Sequence, residues 1–334
     1  MSGNSETHAT LGKDNNNMLN IRQSAQKLLQ RLQSGASKPP VELIYASHAR
    51  WPLSYSESHP NSNAPTRIAI LDSSFNPPTL AHLALANAGR PDDWAKEDNG
   101  HDYDAKLLLL SVKNVDKSLK PGDATYLQRL ELMSLLAKDV RLIIPQLSKR
   151  EVHPNVAIAI VDEPTFVGKS EALLGFLKHR FATLSLQPPA DDVELTFLVG
   201  LDTLERLFSA RYYPSESTMM ASLRKLFAPG PEGDNSRVAC AKRVFSTPAT
   251  LNSPGETEAA KALELSKEFE DAGRIAIIDI GENLSTYSSS AVRSVIGRDG
   301  LEPKGGEPPV WRNFVTEEVA DYISHERLYE QGGT

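Results

Sequence analysis

Cysteine is nearly absent: Cys240 stands alone among 334 residues. A single thiol excludes an intramolecular disulfide framework and any zinc site built on several cysteines. It suits a reducing compartment. Long apolar runs are missing as well, so no stretch reads as a membrane span. The first 17 residues are polar, without the apolar core of a signal peptide, and include Glu6 and Asp14, which speak against a mitochondrial presequence. The expectation is a cytosolic or nuclear protein. Positive charge is in deficit: 36 Lys and Arg against 43 Asp and Glu give a net charge of −7, with a pI of about 5.7. Bulk attraction to nucleic acid is not expected of such a chain. Neither nucleic acid nor a membrane is therefore an expected partner, while a homo-oligomer is compatible with the composition.

Hydrophobic residues make up 40% of the chain, enough for one large domain or two smaller ones. Residues 1–17 are rich in Ser and Asn and carry the composition of disorder. In residues 20–33, Ile21, Leu28, Leu29 and Leu32 fall near one helical face. This predicts an amphipathic helix packed on the domain or, alternatively, an arm for a partner. Residues 1–40 are thus read as a flexible N-terminal arm with one helix, and residues 41–334 as a single domain. Surface-loop insertions are expected near 91–104 and 228–257, where charge, Pro and Gly collect.

Apolar runs of strand length are expected at 41–46, 68–71, 106–112, 140–144, 156–161, 193–199, 238–244 and 274–280. Between most of them the apolar period changes to that of a helix, and no unit repeats. Alternating strands and helices predict a doubly wound parallel α/β sheet with right-handed crossovers. Ligands then bind beyond the carboxyl ends of the strands.

Chemistry concentrates in two places. Residues 68–86, IAILDSSFNPPTLAHLALA, read as a strand, a turn cluster and a helix start. Free backbone N–H groups and the helix dipole favour an anion there. Thr79 and His82, three apart, share the first helical turn. The second place is Tyr287-Ser-Ser-Ser-Ala-Val-Arg293, again after a strand and at a helix start. Its hydroxyls can cap the helix or bind phosphate, and Arg293, one turn in, can meet phosphate oxygens bidentately. His153 before Pro154, and Asp162-Glu163 before Pro164, read as loop residues rather than ligands or a carboxylate dyad.

The first stretch resembles the HxGH phosphate motif of the nucleotidyltransferase superfamily. In the form SFNPxTxxH it is similar to the eukaryotic nicotinamide mononucleotide adenylyltransferases, whose first His is replaced by Thr, as at Thr79. The second resembles that family's ISSTxxR, with Ser290 in place of Thr. SVKNVDKSLK at 111–120 resembles its lysine-bearing segment, leaving Lys113, Lys117 and Lys120 as candidates. Tyr126-Leu-Gln-Arg129 with Met133 resembles AYHRxxM, and Leu198-Val-Gly-Leu-Asp202 resembles LxCGAD. Arg243 resembles the arginine of CVTR, and residues 319–329 resemble the closing VxxYIxxHxLY, where packing is the expected role.

The resemblance implies a Rossmann-like fold of nucleotidyltransferase type, close to the fungal branch. It implies adenylyl transfer from ATP to nicotinamide mononucleotide, giving NAD and pyrophosphate, with Mg²⁺ accompanying ATP and no metal held by the protein. On this reading Ser74, Phe75, Thr79, His82, Lys113, Lys117, Lys120, Ser288, Ser289, Ser290 and Arg293 bear on ATP and its phosphates. His82, Arg293 and Lys117 are the catalytic candidates. The mononucleotide falls to Ser73, Ser74, Phe75, Asn76, Gly200, Asp202, Tyr212, Tyr213 and Arg243. Gly200 would permit close backbone approach, and Asp202 would either accept hydrogen bonds from the nucleotide or simply cap a helix. Three departures bear on specificity. Ser73 replaces a Gly and would be strained if that position needs positive φ; Leu201 replaces the Ala of GAD; and the Trp that stacks on the pyridine ring is missing, with Tyr212 or Tyr213 as substitutes. Alternatives are a related transferase with another phosphate acceptor, or a nucleotide-binding regulator with weak catalysis.

Overall fold

The computed structural model describes residues 21–53, 65–97, 102–113, 120–141, 155–184, 193–242, 254–303 and 307–330. Lys117, Arg243, His153 and residues 1–17, singled out in the sequence, lie outside these. Helix α1 is described over residues 21–33. β1 (Val41–Ala46), β2 (Thr66–Asp72), α2 (Leu80–Asn87), α3 (Asp92–Glu97), β3 (Ala105–Ser111), α4 (Tyr126–Asp139), β4 (Val156–Val161) and α5 (Phe166–Thr183) follow. The second half runs β5 (Val193–Gly200), α6 (Leu201–Leu207), α7 (Glu216–Phe227), β6 (Arg237–Ala241), α8 (Pro254–Asp271), β7 (Ile275–Ile278), α9 (Ser289–Asp299) and α10 (Glu317–His325).

The seven strands form one sheet in the order β1-β4-β3-β2-β5-β6-β7. β1 lies antiparallel on β4 at one edge, and every other pairing is parallel. Counted from β2, the parallel strands stand in the order 3-2-1-4-5-6, the Rossmann-like arrangement whose direction of winding reverses between β2 and β5. Central strands read as unbroken apolar runs because helices cover both faces; β4, VAIAIV, is buried at all six positions. Ile68 and Ile70 pack on the α5 and α6 side, Ala69 and Leu71 on the α2 and α4 side. A third cluster joins α9, α10 and the outer face of α4 through Val292, Ile296, Val319, Ile323, Leu132 and Leu135. The chain end expected to pack does so, with Leu328 and Tyr329 buried.

Local chemistry sets several boundaries. Thr125 and Gln128 form a reciprocal capping box at the start of α4: the Thr125 N–H donates to Gln128 Oε1 at 2.9 Å and the Gln128 N–H to Thr125 Oγ1 at 3.3 Å. Thr165 caps α5 by accepting from the Gly168 N–H at 3.1 Å. Lys106, buried inside β3, donates to the Ala86 carbonyl in the last turn of α2 at 2.6 Å, and burial lowers its pKa to about 8. A cation there meets the negative end of the helix dipole.

Four expectations change. The stretch 91–104 is not simply a surface loop: it contains α3, with Trp94 and Tyr103 buried. Arg237 stands 4.9 Å over the Trp94 ring, which holds α3 against the sheet. The strand expected at 140–144 does not begin at Val140, which is the C-cap of α4, and 142–144 lie outside the described residues. β6 ends at Ala241, short of the predicted 244. Ser73 is not among the non-glycine residues with positive φ; Phe75, at φ 45°, is. The backbone turn that a glycine would ease sits two residues later, so Ser73 carries no such strain.

Candidate active site

A cavity of about 550 Å³ opens at the carboxyl ends of the strands, bordered by Leu71 and Asp72 of β2 and by Leu198 and Gly200 of β5. That is the point where the winding reverses, the place a doubly wound sheet offers a nucleotide. The β2–α2 loop and the start of α9 form one side, α5 and α6 the other.

His82 sits in the first turn of α2. The Thr79 backbone N–H donates to His82 Nδ1 at 3.1 Å, so Nδ1 is an acceptor and the ring proton is on Nε2. Nε2 faces Ser73 Oγ at 2.8 Å. The Phe75 ring lies 5.6 Å from the imidazole, and burial lowers the His82 pKa to about 4. The ring is therefore neutral at pH 7, and its one N–H donor faces Ser73 Oγ at the edge of the cavity. Thr79 is fully buried, with its hydroxyl 2.8 Å from His82 Nδ1; it orients the ring rather than facing a ligand. Phe75 is also fully buried in the core, so its side chain cannot line the site as expected.

The start of α9 meets the β2–α2 loop directly. Ser288 caps α9, accepting from the Ala291 N–H at 3.1 Å. Ser289 Oγ donates to the Pro77 carbonyl at 2.7 Å. Arg293 donates to the Asn76 carbonyl and to Ser290 Oγ at 3.4 Å. Two signatures some 200 residues apart in sequence are thus hydrogen-bonded to one another. Asp123 ties this side together. It accepts from Asn76 Nδ2 at 2.8 Å and lies 3.7 Å from both Arg129 and Arg293. Burial opposes its charge, but the Lys120 backbone N–H at 3.1 Å, Asn76 and the two guanidinium groups favour the charged form, leaving its pKa lowered. Arg129 in turn donates to the Ser74 carbonyl at 3.4 Å.

Of the lysine candidates, Lys113 borders the cavity but pairs with Asp162 at 2.8 Å; Lys120 also borders it. Asp202 lies at the cavity but is not the helix cap: Gly200 holds that position, at φ −84°. A Cβ at Gly200 would meet no protein atom within 4 Å, so its glycine character matters only for what enters the cavity. Tyr212 and Tyr213 both line the α6 side. The Tyr213 hydroxyl donates to the Leu207 carbonyl at 3.1 Å, and burial raises its pKa to about 12. Charged residues of the lining that the motifs did not assign are Asp72, Asp123, Lys169, Arg206 and Lys242. Arg129 was visible in the helix motif but carried no role. Asp72 and Lys169 are 97 positions apart, and only the fold brings them to 2.5 Å.

The lining holds seven Lys or Arg side chains and three Asp, in a chain of net charge −7. The cavity is an electropositive pocket in an acidic molecule, suited to a polyanion.

Fold and cavity together define a Rossmann-like α/β protein with an electropositive cleft at the point where its sheet reverses winding. No family model matches the chain. Over 162 residues it is 31% identical to a Schizosaccharomyces pombe protein named "Putative nicotinamide mononucleotide adenylyltransferase"; the match spans 48% of this chain and 49%, about half, of that relative. Two similar solved structures are Plasmodium falciparum nicotinic acid mononucleotide adenylyltransferase complexed with NaAD, at 16% identity, and with APC, at 14%. Each alignment covers 79% of this chain and 97% of that chain, with a TM-score of 0.41.

Proposed function

We propose that this chain transfers the adenylyl group of ATP to nicotinamide mononucleotide, forming NAD and pyrophosphate. The observation that carries the reading is the junction of the two signatures at one electropositive cavity, where Ser289 and Arg293 bond to the Pro77 and Asn76 carbonyls. The likeness to the fission-yeast protein over half its length supports it.

A 5′-phosphate oxygen of the acceptor attacks the α-phosphorus of ATP, and the bond to the bridging oxygen of the β-phosphate breaks. No group on the protein needs to become covalently attached. The chain aligns two nucleotides and places donors where charge grows. His82 Nε2–H, released from Ser73, donates to a phosphate oxygen. Arg293 supplies a planar fork for the departing pyrophosphate, with Lys120, and Lys113 or Lys117, beside it. Ser74 and Asn76 border the α-phosphate, and Arg243 and Asp202 the acceptor's ribose and phosphate. Tyr212 or Tyr213 gives an aromatic face for the pyridine ring. Among the described residues no three His, Cys, Asp or Glu are grouped as metal ligands. Mg²⁺ would accompany ATP, held mainly by the nucleotide's own phosphates rather than by a protein cage.

One observation favours a second reading, a nucleotide-binding regulator with weak catalysis: His82 and Arg293 already hold protein partners, Ser73 and Asn76. Pyrophosphate release across a panel of phosphate acceptors, with products identified chromatographically, separates the two. Release with NAD formed supports adenylyl transfer. ATP binding without release with any acceptor supports the regulator, and release only with another acceptor reassigns the substrate.

A further inference from the structure

Asp72 and Lys169 form an ion pair at 2.5 Å in the cavity wall, their side chains only 8% and 7% exposed. Asp72 ends β2 on the face of Ile68 and Ile70, which packs against α5 and α6. His82, on α2, belongs to the opposite face. The cavity therefore wraps around the end of the sheet, and the pair stands in the half away from the α2 and α9 helix starts. The helix-start donors of the two signatures, His82, Ser289 and Arg293, stand on that other side, so the pair lies apart from them. Its neighbour is aromatic: Lys169 Nζ lies 5.0 Å from the centroid of the Phe166 ring, which also borders the cavity.

A lone lysine in this wall would attract any anion. Asp72 cancels that charge and leaves a dipolar surface with an ammonium and a carboxylate side by side, next to an apolar ring. A primary carboxamide matches both, its oxygen accepting from the ammonium and its NH₂ donating to the carboxylate. A carboxylate offers only acceptors and meets Asp72 as a like charge. We infer that the Asp72–Lys169 pair selects the acceptor by the charge of its ring substituent, taking a pyridine carboxamide and rejecting a pyridine carboxylate. This rests on the adenylyl-transfer reading. Discrimination here comes from a built-in repulsion as much as from attraction.

The test is the ratio of kcat/KM for nicotinamide mononucleotide to that for nicotinate mononucleotide, in the full chain with saturating ATP. The unaltered protein should favour the amide by at least about tenfold, as a site does when an analogue leaves its polar groups unpaired. Asp72→Asn should lower the ratio by about tenfold or more, and Lys169→Gln should raise it, with the KM for ATP moved by less than about twofold in both. A pair that merely tied β2 to α5 would depress both acceptors alike and leave the ratio still. An unaltered protein with no preference, or a preference for the acid, overturns the proposal even if neither variant folds. Unmoved ratios in folded variants overturn it while leaving adenylyl transfer intact. Product from neither acceptor overturns the functional reading, and this inference with it.

Discussion

His82 is held neutral at the cavity wall, and under the proposed reading it serves a polyphosphate as a hydrogen-bond donor rather than as a charge. Its Nδ1 is occupied by the Thr79 N–H and its proton, on Nε2, is shared with Ser73 Oγ at the cavity wall. Replacing it by Ala should lower turnover by roughly 10²–10³, as loss of one positioned donor does, with the melting temperature nearly unchanged. Because kcat/KM reports the free enzyme, its pH profile for ATP should show no fall as pH rises through 6.5, the ordinary His value, since the folded ring titrates near 4. A tenfold loss per pH unit above 6.5 would mean that the imidazolium is required. Stability carries the matching sign. The folded state disfavours the proton, so its contribution is complete above pH 6.5 and is lost as pH falls toward 4, a slope that His82→Gln should lack.

Arg293 makes a different demand. Its guanidinium reaches Asn76, Ser290 and Asp123 together, and an ammonium cannot reproduce that fork. Arg293→Lys should therefore raise the KM for ATP or lower turnover nearly as much as Arg293→Ala. Lysine variants with wild-type ATP kinetics would remove Arg293 from the site.

At the scale of elements, α1 is part of the core rather than an appendage. Ala25, Leu29 and Leu32 are buried with residues of β2 and α4, and Arg22 lies 2.8 Å from the buried Glu131, which also accepts from the Tyr322 hydroxyl of α10. Leu32→Ala should cost about 2–5 kcal/mol in denaturant unfolding, as large-to-small core changes do, and leave both Michaelis constants alone. Removing residues 1–17 should change neither. Elements with strong periodicity, such as β4 and α4, were legible in the sequence because burial on both faces, or on one stripe, leaves a pattern. The helix α3 was not: its charges hide the single Trp94 that anchors it, and its partner Arg237 is 143 positions away. The site divides the same way. Ser289, Arg293, Thr79 and His82 announce themselves at helix starts, while Asp72, Lys169 and Asp123 acquire meaning only from what the sheet places beside them.

For the molecule as a whole, charge is segregated: an electropositive cavity is set in an acidic chain. The KM for ATP should rise steeply with ionic strength, because a multivalent anion is being drawn into a cationic cleft; a KM indifferent to salt between about 0.05 and 0.5 M would remove the electrostatic part of the account. The doubly wound sheet joins this cleft to a second, aromatic half on its other face. The most direct measurement follows the label. With ATP carrying radioactive phosphorus at the α-position and nicotinamide mononucleotide as acceptor, adenylyl transfer predicts label in NAD, unlabelled pyrophosphate as co-product, and little of either from the His82→Ala protein. Label retained in ADP, with orthophosphate released and no dinucleotide formed, would contradict it.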